Sequence, residues 1–369
     1  MFDNLDQAPG KLGYIDARGK PVRELPDEID VAWLQASYRH MVRIRQLDKK
    51  AVALQRTGQM HTYPSCLGQE AIGTGIGLAM QDDDVLVPYY RDQATQTIRG
   101  VTMQQILQVW GGDERGNLFT GVAAKDFPNS VPIGTQMSHA AGIATAMKSR
   151  GIKQAVVANC GDGATSRGDV YEALNLVGVW QLPMVAVINN NQWAISVPRS
   201  LQTGTRTLAE KALAVGIEGL QVDGNDVVAV YQAVSQALAR ARSGKGGTLI
   251  EAVSYRLSDH TTADDATRYR DASEVSQAWE YDPVKRLQIF LHELGHWTPT
   301  QEQTLLAEVK QQVDAAVTAY LGEVPQAADD FMAYVFAEMT PTLLAQRDQL
   351  LAKLERDSVA QGGGSDDSR

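Results

Sequence analysis

Two short polar clusters follow apolar runs of strand length in the middle of the sequence. A Gly-Asp-Gly cluster at 161–163 comes after the run that starts at Ala155, and three asparagines at 189–191 come after the run 184–188. Mg²⁺ accepts carboxylate and amide oxygens as ligands, usually with few protein groups, and a turn that leads into a helix N-terminus suits a diphosphate. The pattern predicts a Mg²⁺-bridged diphosphate at Asp162. It is also compatible with an ordinary tight turn in which Asp162 caps the helix.

The chain between the two clusters predicts a helix. Val170, Leu174 and Val177 lie on one helical face, and Pro183 ends the segment. Strand, turn, helix and strand in this order make a βαβ unit, so both clusters follow the carboxyl ends of parallel strands, where open α/β sheets bind ligands. A dinucleotide-binding fold is disfavoured, because GDGATS lacks the third glycine of G-x-G-x-x-G. We therefore predict an α/β fold with a parallel sheet flanked by helices.

The rest of the sequence predicts four segments. Residues 1–30 contain scattered glycines and prolines and indicate an N-terminal arm. Residues 31–300 are expected to form the α/β domain, and residues 301–360 a helical C-terminal extension. Residues 361–369, with the sequence QGGGSDDSR, have the composition of a disordered tail.

Composition excludes several classes of protein. The 369-residue chain has a formal net charge of −10 and two cysteines. Binding to a nucleic-acid backbone needs a basic surface, so nucleic acid is excluded as the main partner. The first residues have neither the basic nor the apolar region of a signal peptide, and no apolar run is long enough to span a bilayer. We therefore expect a soluble cytoplasmic protein without a disulfide framework, which binds neither nucleic acid nor membrane.

The two polar clusters and their spacing resemble the thiamine diphosphate-binding motif, in which GDG is followed by NN across a helix and a strand. Further segments resemble the α subunit of the E1 component of 2-oxo acid dehydrogenase complexes, and the resemblance runs from about residue 30 to 340. These segments are GQEA at 68–71, YRD at 90–92, PIGTQ at 132–136 and YRLSDHTTADDATRYR at 255–270. The resemblance implies the thiamine diphosphate-binding fold and an α2β2 heterotetramer with an E1 β subunit. It also implies transfer of an acyl group from a 2-oxo acid to an E2 lipoyl acyltransferase.

The resemblance assigns a cofactor role to three groups of residues. Side chains of Asp162 and Asn191 and the carbonyl of Trp193 are implied as Mg²⁺ ligands. His260 is implied as the catalytic residue that contacts cofactor and substrate, and we expect it to titrate near neutral pH and to donate a proton. The implied contacts to thiamine diphosphate come from Tyr90, Arg91, Val131, Ile133, Gly161, Gly163, Ala164, Asn191 and His260.

Two further sites are implied by single segments. In some family members a Ser, a Pro, a Thr and a Gln bind K⁺, and the matching residues here are Ser130, Pro132, Thr135 and Gln136. Such oxygen clusters can also be purely structural. The segment at 61–63 matches a substrate-pocket loop of the family, and the candidates are His61, Thr62 and Tyr63.

The resemblance leaves the substrate open. We expect pyruvate, with a branched-chain 2-oxo acid or acetoin as the alternative. A non-catalytic interaction subunit is a third possibility from another class, but the presence of Asp162, Asn191, Arg91 and His260 disfavours it. In the family, the glutamate that activates the cofactor lies on the β subunit, so we expect this chain alone to be inactive.

Overall fold

The computed structural model describes residues 10–362, with side chains up to residue 358. The chain divides into two compact units, with the division between Leu321 and Gly322. The boundaries expected from the sequence at residues 30, 300 and 360 stay predictions. Most of the expected tail, 363–369, lies outside the described residues, as do residues 1–9 of the expected arm.

A five-stranded parallel sheet forms the centre of the first unit, which confirms the predicted fold class. Its strand order is β1-β2-β3-β7-β6, and a separate antiparallel pair, β4-β5, lies outside it. Pro183 precedes β3, and apolar side chains fill the middle of the sheet. The strands are β1 (Val85–Val87), β2 (Val156–Gly161), β3 (Met184–Asn190), β4 (Trp193–Ala194), β5 (Val197–Pro198), β6 (Glu218–Asp223) and β7 (Thr248–Val253).

Helices cover both faces of this sheet. Because side chains alternate along a strand, Val156 and Ala158 of β2 join one apolar cluster, and Val157 joins the cluster on the opposite face. The first cluster includes side chains of α5 and α6, and the second includes side chains of α2 and α8. In the first unit the helices are α1 (Val31–Arg56), α2 (Glu70–Ala79), α3 (Gln93–Ile98), α4 (Met103–Trp110), α5 (Thr135–Ser149), α6 (Gly168–Trp180), α7 (Lys211–Ala214), α8 (Val227–Arg242), α9 (Ala272–Ala278), α10 (Pro283–Glu293) and α11 (Pro299–Leu321).

The described part of the N-terminal arm packs on the α/β unit. Asp226, which caps α8, accepts hydrogen bonds from the backbone N–H groups of Tyr14 (2.6 Å) and Ile15 (2.8 Å). Arg286 of α10 donates to the carbonyl of Ile15 at 3.1 Å and to Asp223 at 2.7 Å. These buried, paired groups therefore fix the segment at Tyr14 and Ile15. The glycines and prolines of the sequence alone could not predict this contact.

The second unit contains α12 (Pro341–Gly362) and a 3₁₀ turn, Asp330–Tyr334. Thr340 precedes α12 and accepts a hydrogen bond from the backbone N–H of Leu343 at 3.2 Å, a typical N-terminal cap. Within residues 10–362, no helix is both long and apolar enough to cross a bilayer.

A buried histidine makes the stability of the first unit depend on pH. His40 of α1 is 9% exposed, and its Nε2 lies 3.0 Å from the carbonyl oxygen of Ala94, so Nε2 carries the proton. Burial, with a smaller contribution from the Arg43 charge, lowers the pKa of His40 from 6.5 to about 4. The unfolded chain therefore binds this proton at a higher pH than the folded chain. The folded state loses stability as pH falls from 6.5 towards 4.

Replacing His40 with glutamine, which can still donate to Ala94, should remove this pH dependence. We expect the free energy of unfolding of the wild type to fall by about 3 kcal/mol more than that of His40→Gln between pH 7 and pH 4. Urea denaturation at several pH values measures the difference, with the exposed His292→Gln as the matched control. Parallel curves for wild type and His40→Gln would show that His40 is not the group responsible.

Candidate functional site

A cavity of about 220 Å³ lies at the carboxyl ends of the central strands. Its walls come from the segments that follow β1, β2, β3 and β7, together with the start of α5. Eleven of the residues singled out from the sequence for cofactor or metal binding are among those that line it. The lining residues are Tyr89, Tyr90, Arg91, Ile133, Gly134, Gln136, Cys160, Gly161, Asp162, Gly163, Ala164, Asn191, Trp193, Ala194, Ile195 and His260.

Asp162 places a carboxylate at the floor of this cavity. It follows β2 directly, is 1% exposed, and accepts a hydrogen bond from Gln202 Nε2 at 2.7 Å. Burial raises the pKa of Asp162 to about 6, and the hydrogen bond from Gln202 opposes this shift. A buried carboxylate at the wall of a cavity fits a cation, because a cation there would compensate the lost hydration.

The helix predicted after the Gly-Asp-Gly cluster begins later than the sequence suggested. A 3₁₀ turn, Asp162–Ser166, comes first, and α6 starts only at Gly168. The hydroxyl of Thr165 donates to the carbonyl of Asp162 at 2.8 Å, and this local bond stabilises the tight turn. The turn, rather than the first residues of α6, therefore brings Gly163 and Ala164 to the cavity wall.

The three asparagines after β3 have different environments. Asn190 donates to Glu251 Oε1 at 2.6 Å and accepts from the side chain of Gln192 at 3.1 Å, so it joins β3 to its neighbour β7. Asn191 lines the cavity and is 4% exposed, and its Oδ1 accepts from the backbone N–H of Trp193 at 3.3 Å. The buried Nδ2 of Asn189 has no hydrogen-bond partner among the described residues. Of the three, Asn191 is the one placed for a ligand in the cavity.

The β4-β5 hairpin carries Trp193 to the same cavity. The indole Nε1 of Trp193 donates to Glu274 Oε1 at 3.0 Å, and this bond fixes the ring. The backbone carbonyl of Trp193 lies 3.4 Å from Arg256 Nη1, a long contact that leaves a second lone pair for another partner. Asp162, Asn191 and Trp193 therefore all line the cavity, and they carry a carboxylate, an amide oxygen and a backbone carbonyl, which are types of oxygen that Mg²⁺ accepts.

The hairpin approaches the Asp162–Ser166 turn so closely that only glycine fits at position 163. A Cβ atom on Gly163 would lie 2.5 Å from the Cβ of Ala194. Such a distance cannot exist between two unbonded carbon atoms. Gly163 therefore permits the contact that holds the predicted metal ligands on the turn and on the hairpin together.

Arg91 joins two loops at the opposite wall. It is 4% exposed and donates to the carbonyls of Ser65 at 2.5 Å and His260 at 2.6 Å. Its guanidinium lies 5.1 Å from the centre of the Tyr90 ring. Arg91 also lines the cavity, where N–H groups of the guanidinium suit phosphate oxygens.

The loop that carries His260 is held by charged and polar groups within it. Asp264 accepts hydrogen bonds from the backbone N–H of His260 at 2.9 Å and from the hydroxyl of Tyr269. Arg270 donates to the carbonyl of Ser258 at 3.0 Å. These bonds fix the loop without a regular element, which positions the imidazole at the cavity wall.

The environment of His260 corrects the expectation that it titrates near neutral pH. Burial, with the charges of Arg91 and Arg256, lowers the pKa of His260 to about 4. The imidazole is therefore neutral at pH 7 in this chain. Arg91 Nη2 lies 3.1 Å from Nδ1, and arginine can only donate, so Nδ1 accepts and the proton is on Nε2. His260 can donate a hydrogen bond through Nε2 as a neutral group.

The remaining cofactor candidates, Ile133 and Val131, both lie in the loop before α5, but only one of them lines the cavity. Ile133 lines the cavity with 41% of its surface exposed, whereas Val131 is 57% exposed and is not among the lining residues. Ile133 therefore presents an apolar surface to the cavity, whereas a contact of Val131 with a ligand there stays a prediction.

The four residues implied for K⁺ come together in one turn. Ser130 Oγ and Thr135 Oγ1 are 3.2 Å apart, and Thr135 donates to the carbonyl of Pro132 at 3.0 Å. Gln136 Nε2 donates to the carbonyl of Ser130 at 2.7 Å, and its buried Oε1 has no hydrogen-bond partner in the described part of the chain. The oxygens converge as a cation site requires, but hydrogen bonds among the same groups also hold the turn without a cation.

The three substrate-pocket candidates do not line this cavity. His61 and Thr62 are exposed. Tyr63 is fully buried, and its hydroxyl donates to Asp48 at 3.0 Å, so it belongs to the core beneath the loop. The backbone N–H of Tyr63 donates to Thr262 Oγ1 at 3.0 Å, which connects this segment to the His260 loop. Its role in substrate binding stays a prediction.

Several residues at the site were not predicted as functional residues, among them Gln202 and Arg256. Gln202 bonds Asp162, and Arg256 lies against the carbonyl of Trp193. Gln202 belongs to no spacing pattern, because it reaches Asp162 from 40 residues further along the chain. Arg256 gave one usable signal, since it lies in the segment 255–270 that carries the family resemblance, but Gln202 gave none.

Known proteins resemble this chain over most of its length. Residues 38–323 match the family described as "Dehydrogenase E1 component". The "3-methyl-2-oxobutanoate dehydrogenase subunit alpha" of Mycobacterium tuberculosis is 42% identical over 361 residues, 96% of this chain and 97% of that protein. The "Pyruvate dehydrogenase E1 component subunit alpha" of Mycoplasma pneumoniae is 38% identical over 303 residues, 82% and 84% of the two chains. Its Staphylococcus aureus counterpart is 37% identical over 336 residues, 90% of both chains.

The contact between Gly163 and Ala194 predicts a paired effect of mutations. We expect Gly163→Ala to weaken thiamine diphosphate binding by roughly tenfold or more, because the added methyl group pushes the turn from the hairpin. Ala194→Gly removes the colliding Cβ, so the double variant Gly163→Ala/Ala194→Gly should recover most of the affinity. Calorimetric titration of the assembly with its partner subunit measures both. Equal losses in the single and double variants would refute this steric explanation.

Proposed function

Since this chain belongs to the dehydrogenase E1 component family, we propose that it is the α subunit of an E1 component that uses thiamine diphosphate and Mg²⁺. The proposed reaction is the oxidative decarboxylation of pyruvate and the reductive acetylation of the lipoyl group of E2. The observation that carries the proposal is that Asp162, Asn191 and Trp193, which carry oxygens of the types that Mg²⁺ accepts, line the same cavity. Relatives named as α subunits of the pyruvate dehydrogenase E1 component support the choice of pyruvate.

In the proposed complex, different groups of cavity residues bind different parts of the cofactor. Asp162, Asn191 and Trp193 hold Mg²⁺, and Tyr90 and Arg91 bind the diphosphate with the backbone of 161–164. Ile133 and Val131 contact the apolar part of the cofactor. Bound thiamine diphosphate supplies a nucleophilic carbon and an electron sink for the loss of CO₂.

His260 is proposed as the group of this chain that contacts substrate. As a neutral imidazole with its proton on Nε2, it can donate a hydrogen bond to a developing oxyanion without carrying a charge. Arg91 stabilises this tautomer, because its Nη2 donates a hydrogen bond to Nδ1 of His260. A phosphate-bearing ligand near Arg91 would offset the positive charge that lowers the pKa of His260, and the imidazole would then protonate more readily.

The partners and the second cation belong to the same proposal. An E1 β subunit completes the active site in an α2β2 heterotetramer, and the lipoyl group of E2 accepts the acyl group. K⁺ is proposed at Ser130, Pro132, Thr135 and Gln136, where the unpartnered Oε1 of Gln136 supports an additional ligand. A cytoplasmic location agrees with the two cysteines, which are both buried and free.

A branched-chain substrate is the second candidate. The relative named for 3-methyl-2-oxobutanoate is 42% identical over 361 residues, a longer and more similar match than the pyruvate-named relatives reported above. The two substrates differ only in the alkyl group next to the keto carbon, so pocket size decides between them.

Decarboxylation by the chain co-purified with its β subunit tests the proposal. With thiamine diphosphate, Mg²⁺ and an artificial electron acceptor, we expect kcat/KM for pyruvate to exceed that for 3-methyl-2-oxobutanoate by roughly tenfold or more. The reverse order would establish the branched-chain candidate. No turnover of either 2-oxo acid would contradict the proposal.

Two controls separate the contributions of the subunits. The chain without β should show no turnover, since the proposed active site is completed by the partner. Asp162→Ala in the full assembly should abolish turnover, because it removes the only carboxylate among the three proposed Mg²⁺ ligands. Activity of the isolated chain would show that the active site does not need a second subunit.

A further inference from the structure

Gln202 connects the two segments that carry the proposed metal ligands. Its Nε2 donates to Asp162 Oδ2 at 2.7 Å and to the carbonyl of Val197, in β5, at 3.2 Å. Its own backbone carbonyl accepts from Ser166 Oγ at 3.3 Å. One residue therefore bonds both ends of the Asp162–Ser166 turn and also the hairpin on which Trp193 lies.

We propose that Gln202 is a positioning residue, which fixes the carboxylate of Asp162 and joins it to the hairpin so that the metal ligands are preorganised. The inference rests on the proposed function, since it concerns the same Mg²⁺ site. Outer partners of metal ligands commonly set the orientation of those ligands and change metal affinity when they are removed.

The geometry of the carboxamide supports this role over simple packing. Both hydrogen bonds leave from Nε2, while the buried Oε1 has no hydrogen-bond partner within residues 10–362. A side chain kept only for packing would not leave a buried polar atom unpaired, because an unpaired acceptor costs stability. The retained donor thus serves the carboxylate of Asp162, which backbone N–H groups of Asp162 and Gly163 and the charge of Arg256 also stabilise.

Replacement of Gln202 by leucine removes the donor and keeps most of the side-chain volume. In the assembly with β, titrated with Mn²⁺ in saturating thiamine diphosphate, we expect the Kd of Mn²⁺ from electron paramagnetic resonance to rise by roughly 10- to 100-fold. The Mg²⁺ concentration for half-maximal turnover should rise in parallel, and kcat at saturating Mg²⁺ should return close to the wild-type value.

The chain offers a matched control in Gln154, whose Nε2 donates to Asp83 at 3.1 Å on the exposed surface. Gln154→Leu breaks the same type of bond and should leave the Kd of Mn²⁺ unchanged. An unchanged Kd in Gln202→Leu, with normal Mn²⁺ binding by the wild type, would overturn the inference alone. Failure of the wild-type assembly to take up Mn²⁺ with thiamine diphosphate would overturn the proposed function and this inference with it.

Discussion

Parallel pairing of β2 with β3 determines where the chemistry of this chain can take place. Gly161 is paired with Asn189, so Asp162 and the asparagines leave the sheet next to each other. A slip of one residue would turn the side chains of a whole strand to the opposite face. The pairing of Asn190 with Val253 of β7 then brings the His260 loop to the same edge. The register of β2, β3 and β7 therefore determines, more than any single contact, which residues come together at the cavity.

Close packing between irregular segments holds the loops around the cavity in place after the strand register has brought them together. The turn after β2 and the hairpin after β3 touch at Gly163 and Ala194, and Arg91 and Gln202 fasten the loops around them. Some polar groups near the cavity are paired, such as Asn159 Nδ2, which donates to Asp92 at 2.8 Å. Within the described part of the chain, Asn159 Oδ1 and Gln136 Oε1 have no hydrogen-bond partner, and Gln136 lines the cavity. Unpaired buried groups are costly, so their presence at a cavity indicates a missing ligand more than poor packing.

Much of this arrangement could be predicted from the sequence, because it depends on periodicity and on strand ends. The spacing of apolar residues predicted β2, α6 and β3, and the polar residues after each strand predicted Asp162 and Asn191. The pKa of His260 could not be predicted in this way, since it depends on burial and on Arg91 from a distant part of the chain. The 3₁₀ turn before α6 was missed because its hydrogen bonds are local and have no periodic signature. Gln202 was missed for the same reason, since only the folded loops bring it to Asp162.

We propose that Asp162, Asn191 and the carbonyl of Trp193 hold a cation on a diphosphate. A crystal structure of the chain with its β subunit, grown with thiamine diphosphate and Mg²⁺, would test this proposal. We expect octahedral Mg²⁺ at about 2.1 Å from these three protein oxygens, with diphosphate oxygens among its remaining ligands. A structure with the cofactor bound elsewhere, or with the cation held by other residues, would contradict it.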